Sequence, residues 1–391
     1  MTPITTTTEL ARFCQSLKSS PFIAVDTEFM RESTYWPKLC LIQAASPDGE
    51  AVIDPLAEGL DLAPFLDLMR DEAILKVFHA ARQDVEILFN LEAAPRPLFD
   101  TQIAGMAAGF PEQVAYDVLV RQMLKIEVDK SSRFTDWARR PLSEAQLTYA
   151  LADVTHLATI YPMLSERLEA AGRLSWVMAE MDALLDPKLY DTSPQNAWRR
   201  LKPRRQAPKY LAVLKAVAAW RERVAQERDQ PRGRILKDDA IDEVATQAPT
   251  ENEALQRLRS LPKGFAGSRF ASGLVDAVRE GVAAAEHSEP EPRRVHRPYP
   301  AAPTGAVVEL LKVLLKARAE DAKVASKLIA TVSDLERIAA DDEADTQALQ
   351  GWRREAFGED ALRLKRGEIA LVLDGAKVRA VEVRRRPRAA E

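Results

Sequence analysis

The stretch PFIAVDTEF (residues 21–29) constrains the fold more than any other part of this chain. Residues two apart on an extended strand share a face, so Phe22, Ala24, Asp26 and Glu28 point one way and Ile23, Val25, Thr27 and Phe29 the other. Two carboxylates therefore fall on one spot, inside an otherwise apolar run. Like charges that close repel and push a pKa upward unless something positive lies between them. The fold has to bring a cation to the pair.

The residues that could hold such a cation are few. The chain has only Cys14 and Cys40 and four scattered histidines, with no Cys/His zinc spacing and no disulfide framework, so a bound metal has to be held by oxygen. A length of 391 residues, 46% hydrophobic and 29% charged, predicts a globular protein of two or three domains. No apolar stretch reaches the roughly 20 residues of a spanning helix, and MTPITTTTELARF lacks the basic and apolar regions of a signal peptide, so the expected location is the cytoplasm. The net charge of −4 hides a segregation: residues 1–170 carry 15 basic and 25 acidic side chains, while residues 171–209 carry 8 and 4. Basic runs stand at RRLKPRR (199–205) and RRRPR (384–388), each readable as a solvated face or as a phosphate contact.

The first 170 residues alternate strand and helix patterns. The segments at 21–29, 39–46 and 50–55 are short, apolar and separated by turn chemistry such as SPDG (46–49), which predicts a meander. A helix at 61–71 follows, then AILKVFHA (73–80) as a buried strand running into a helix at 82–91; the result is an α/β domain with a mixed sheet. Ser143 opens a capping box, SEAQ, and Leu147, Ala150, Leu151, Val154 and Leu157 recur at helical spacing behind it. Tyr149 and Asp153 lie one turn apart on that helix. Past Gly172 the texture becomes helical, interrupted by proline-bearing links. The segments at 210–236 and 306–329 look weakly alike, which predicts a duplicated small helical domain. The expected divisions are 1–172, a basic helical linker 173–207, a helical domain 208–286, a proline-rich link 287–303, a second helical domain 304–384, and a basic tail 385–391.

Four acids and a tyrosine stand out: Asp26 and Glu28 in DTEF, Asp84 in HAARQD, and Tyr149 and Asp153 in YALADV. In this order the three motifs resemble those of the DEDD superfamily of 3′→5′ exonucleases, in its tyrosine-bearing branch. FIAVDTEFMRESTYWPKLCLIQ, FDTQIA and DKSSRFTDWARRPLSEAQLTYALADV resemble the ribonuclease D family within it. The likeness is dense over residues 1–170 and loose beyond. It implies a ribonuclease H-like exonuclease domain followed by two small all-helical domains of the HRDC (helicase-and-RNase-D C-terminal) type.

The same resemblance implies roles. Asp26, Glu28, Asp84 and Asp153 would hold two divalent cations, Mg²⁺ or Mn²⁺, with Asp26 shared, Glu28 and Asp153 completing one site, and Asp84 acting on the other, partly through water. Hard cations of this kind prefer carboxylate, water and phosphate oxygens. Tyr149 would bond the attacking water. Phe29 and Met30 are candidates for wedging against terminal bases, Lys130, Arg133, Arg139 and Arg140 for touching phosphates, and His79 for ordering its loop beside the substrate. Trp137 reads as packing, and Asp100 as support behind the acids. The implied activity is trimming of 3′ extensions on structured RNA, such as tRNA precursors, to nucleoside 5′-monophosphates by a monomer. DNA as substrate, or a non-catalytic RNA-binding scaffold, are the alternatives; a scaffold would be expected to lack an acid, and none is missing. No Walker motif accompanies the helical domains, whose near-neutral charge limits a purely electrostatic role in binding.

Overall fold

A computed structural model describes residues 2–133, 135–287 and 305–383. The tail at 385–391, the run RRRPR and all but the first residue of the link at 287–303 lie outside the described residues. The first domain is built on five strands, β1 (Phe22–Met30), β2 (Lys38–Ser46), β3 (Gly49–Ile53), β4 (Leu75–Phe78) and β5 (Leu98–Asp100), in the order β3-β2-β1-β4-β5. The first three form the expected antiparallel meander, because only two residues separate β2 from β3. β4 and β5 run parallel to β1 and are reached through helices α2 (Ala63–Arg70) and α3 (Arg82–Asn90), as parallel neighbours require. At three residues, β5 is too short to show any period in the sequence.

The alternation in β1 sorts its side chains between two cores. Ile23 and Val25 pack with Leu10 and Cys14 of α1 (Thr7–Ser16) and with residues of α2 and α3. Phe22 and Ala24 pack on the other face beneath α6 (Glu144–Ala170) through Val154, Leu157 and Ile160. At 27 residues α6 is about 40 Å long and crosses the whole sheet. It begins where the capping box places it: Ser143 Oγ accepts from the Gln146 amide at 3.2 Å, and Gln146 Oε1 accepts from the Ser143 amide at 3.0 Å. The short helices α4 (Thr101–Ala107) and α5 (Tyr116–Leu124) close the edge beside β5. Helix α7 (Leu174–Leu184) buries Val177 and Met181 in the same core, so the first domain runs past the boundary expected at residue 172. Apolar burial, which composition does not reveal, assigns α7 to the sheet domain.

The second unit packs α8 (Pro208–Glu227), α9 (Arg232–Ile235), α10 (Asp238–Gln247) and α11 (Ala271–His287) around Val213, Val217, Ile241, Val244, Leu274 and Val278. Gly281 allows the closest approach of α11 to α8, since a Cβ there would stand 2.6 Å from the Val213 Cα. The third unit contains α12 (Gly305–Ala322), α13 (Ser326–Ile329) and α14 (Val332–Ala340), followed by helical turns at Gly351–Arg353 and Glu359–Lys365. It is not all-helical. Strands β6 (Ile369–Asp374) and β7 (Lys377–Glu382) form a hairpin, closed by a two-residue turn with Gly375 in the left-handed region at φ 61°. IALVLD is a short apolar run and KVRAVE alternates polar with apolar, strand signals that the expectation of an all-helical unit left out.

Both units dock on the sheet domain. Tyr35, on the loop between β1 and β2, enters the core of the second unit. Its hydroxyl donates to Glu222 Oε1 at 2.5 Å and accepts from Arg232 Nη2 at 2.7 Å and Gln226 Nε2 at 3.0 Å. The amides of Tyr35 and Trp36 both donate to Asp229 Oδ1. On the third unit, Trp352 stacks on Trp176 of α7 with ring centres 4.2 Å apart, Arg353 pairs with Glu180, and the Ala325 amide donates to the Met106 carbonyl at 2.9 Å. The basic run 199–205 is partly spent inside the molecule: Arg200 pairs with Glu222 at 2.7 Å and Arg204 with Asp239 at 3.1 Å.

Candidate active site

Carboxylate oxygens of Asp26, Glu28 and Asp153 converge to within 4.8 Å of one another. Asp26 and Glu28 come from the middle and outer part of β1, and Asp153 descends on them from α6, nearly three turns inside its capped end. Asp84 lies beside this group in the first turn of α3 and accepts the Thr27 hydroxyl at 2.5 Å. The sequence reading overlooked Thr27, whose side chain leaves β1 on the face opposite Asp26 and holds Asp84 from below. The turn from β4 into α3 is held by Asp100, whose carboxylate accepts the amides of Ala80 at 3.0 Å, Ala81 at 2.8 Å and Gln102 at 2.8 Å. Ala80 sits at φ 59°, a strained position for a residue with a Cβ, and the Asp100 carboxylate stabilises it.

Crowded, buried acids with little counter-charge resist ionisation. Burial, then the neighbouring Asp153 charge, pushes Asp26 up to about 8. Burial and the charges of Asp26, Asp153 and Asp84 push Glu28 up to about 9, against the pull of Arg133. Burial raises Asp153 to about 7, while the Tyr149 hydroxyl bond and Arg133 hold it back. Asp84 is raised well above the ordinary carboxylate range by burial and by Asp26. The Tyr149 phenol is raised too, by burial and by the charge of Asp153. Four carboxylates that burial and mutual repulsion keep from ionising fit a divalent cation, whose charge would offset both effects.

The acids open into a cleft of about 510 Å³ lined by Asp26, His79, Tyr116, Lys130, Arg133, Tyr149 and Asp153, among others. Both His79 ring nitrogens are occupied, Nδ1 by Thr101 Oγ1 at 3.0 Å and Nε2 by the Val114 carbonyl at 3.1 Å, so its polar atoms hold the loop. Lys130 pairs with Asp117 at 2.7 Å on the cleft wall. Arg140, expected among the phosphate contacts, is consumed in the fold: its guanidinium takes both Asp54 oxygens at 2.6 Å and the Cys40 carbonyl at 2.7 Å. Arg139 is exposed. Met30 packs against the cluster of Cys40, Leu41 and Trp137, Phe29 is half-buried, and Trp137 is buried beside Tyr149. Tyr116, which no motif marks, donates to the main-chain carbonyl of Asp153 and supports that turn of α6.

Residues 1–169 match the family model of the 3′-5′ exonuclease domain, and residues 210–278 that of the HRDC domain. The ribonuclease D of Nitrobacter hamburgensis is 53% identical over 380 residues, spanning 97% of this chain and 99% of that one. The chain belongs to the ribonuclease D family. The ribonuclease D of Granulibacter bethesdensis is 48% identical over 97% of this chain and 96% of its own. The crystal structure of Escherichia coli RNase D, described as an exoribonuclease involved in structured RNA processing, superposes with a TM-score of 0.78 at 29% identity, covering 94% of this chain and 99% of that one. This ribonuclease D family member is thus a 3′→5′ exoribonuclease, a nucleic-acid-binding enzyme that uses divalent metal. Among the described residues no helix is long and apolar enough to cross a membrane.

Proposed function

We propose that Asp26, Glu28, Asp84 and Asp153 hold two divalent cations, Mg²⁺ or Mn²⁺, and with Tyr149 hydrolyse the terminal phosphodiester of RNA 3′ extensions, tRNA precursors among them, releasing nucleoside 5′-monophosphates. The convergence of three carboxylates within 4.8 Å carries this reading. A cation pair bound there supplies positive charge to the attacking and leaving oxygens and acidifies water. Asp26 would be the shared ligand, with Glu28 and Asp153 beside it, and Asp84, held by Thr27, would serve from the α3 side.

Tyr149 donates its proton to the Asp153 carboxylate, which leaves its oxygen free to accept from a water and fix that water's direction. With its pKa raised it stays a phenol at working pH, so it orients and does not abstract. Arg133 and Lys130 lie on the cleft lining, where a phosphate backbone would run, and Phe29 and Met30 extend the acid-bearing strand toward the terminal base. One chain supplies every group named, consistent with a monomer. Residues 305–383 serve as a second HRDC-like unit whose docking on α4 and α7 narrows the approach for structured RNA.

The test is to incubate the protein with 3′-extended tRNA, unstructured RNA and single-stranded DNA, with and without a chelator, and to follow the length ladder. Trimming of the extended tRNA that stops near the mature end and is abolished by chelation is the expected result. Equal trimming of all three would refute the substrate reading, and chelator-resistant trimming the metal reading.

A further inference from the structure

Gln43 is completely buried, and neither its amide oxygen nor its amide nitrogen has a hydrogen-bond partner. It lies on β2 directly opposite Asp26 in the β1–β2 register, with Val52 opposite it on the β3 side. Directly paired residues project from the same face with Cβ atoms about 5 Å apart. Along its own strand, the neighbours on that face are Leu41 and Ala45, and α6 covers the face through Leu147, Ala150 and Val154. In this apolar setting the Asp26 carboxylate is the polar group directly across the strand.

A buried primary amide with no partner costs free energy that an apolar residue of the same size would not, so a packing role does not account for it. The register sets Gln43 against Asp26, one of the three converging acids. We infer that Gln43 is a positioning residue for Asp26: its side-chain N–H donates to one carboxylate oxygen of ionised Asp26 and fixes the remaining lone pairs toward the cations. The inference rests on the assignment of Asp26 as a metal-holding acid. A donor that engages the carboxylate as the cations bind fixes which of its lone pairs face them, which improves both affinity and alignment.

Gln43→Met keeps length and volume and removes the donor, and the test uses the full chain. Without divalent ions, thermal unfolding of Gln43→Met is expected at or above the wild-type temperature. The MnCl₂ concentration giving half-maximal thermal stabilisation, read without RNA, is expected to rise about tenfold. The turnover number on 3′-extended RNA is expected to fall tenfold or more while KM changes less than threefold. A manganese midpoint and a turnover number both within twofold of wild type would overturn the inference. So would a metal-free unfolding temperature lowered by more than 5 °C, which would show the amide to be partnered in the fold. Asp26→Asn is the control: if it kept manganese stabilisation and activity, the underlying assignment would fail, whereas an inactive Asp26→Asn beside a wild-type-like Gln43→Met would sink only the role of Gln43.

Discussion

Replacing Asp26 by Asn separates two consequences of burying the acids, and pH separates them further. In the metal-free protein Asp26 is held neutral up to about pH 8, by burial and by Asp153, whereas in the unfolded chain it ionises near pH 4. Below about pH 4 both states carry the proton and the side chain contributes no pH dependence. Between pH 4 and 8 the folded state binds the extra proton, so stability falls as pH rises; above 8 both states are ionised and the full penalty stands. Each tenfold displacement of the ionisation equilibrium is worth about 1.4 kcal/mol, and since the cleft is open to water on one side, the share of Asp26 at pH 9 comes to about 2–3 kcal/mol. Asparagine keeps the shape and removes the charge. Without metal, Asp26→Asn is therefore expected to melt close to wild type at pH 4 and about 5 °C above it at pH 9, read by scanning calorimetry with chelator present. Saturating Mn²⁺ should reverse the order at pH 8, because wild type regains its ligand, and RNA trimming by the variant should fall at least a thousandfold. A metal-free variant that is no more stable than wild type at pH 9 would refute the idea that this acid is electrostatically frustrated.

Tyr149→Phe should lower turnover about a hundredfold while leaving stabilisation by Mn²⁺ intact, as thermal titration would show; loss of both would make the tyrosine a structural support. Glu222 is wholly buried and answers Arg200, Arg232 and Tyr35, so Glu222→Ala should cost about 3–5 kcal/mol in urea unfolding, against about 1 kcal/mol for Tyr35→Phe. Both changes should speed amide exchange in residues 31–37. Two arginines seven residues apart should behave oppositely: Arg133→Ala should weaken RNA binding and reduce its salt slope by about one, while Arg140→Ala should leave that slope unchanged and lower stability by about 2–4 kcal/mol.

The alternation in PFIAVDTEF and the SEAQ capping box predicted β1 and the start of α6 correctly because both are local: period two and a three-residue reach settle them. The acid set was legible for a different reason. Asp26 and Glu28 share a face by geometry, but nothing within either segment says that Asp153 will descend on them; that came from likeness to a family. What stayed hidden was contact across distance. Arg140 looked like its basic neighbours, yet Asp54, 86 positions earlier, claims it. Thr27 looked like the far side of a strand, yet α3 brings Asp84 to it. Gln43 looked like one more residue of β2 until the register set it against Asp26.

Glu28 lies near the end of β1 and Asp84 in the first turn of α3, and both C-terminal units are attached through segments that adjoin these two acids. Glu28 lies three residues before the loop whose Tyr35 is clamped by Glu222 and Asp229 of the second unit. On the same loop, Arg31 pairs with Glu86 of α3 at 3.2 Å, tying the exit of β1 to the helix that carries Asp84. Asp100 fixes the turn into α3 and also caps α4, which the third unit grips through the Met106 carbonyl. The HRDC domain and its C-terminal neighbour are therefore joined to the nuclease domain at the exit of β1 and beside the turn held by Asp100, the segments that adjoin Glu28 and Asp84.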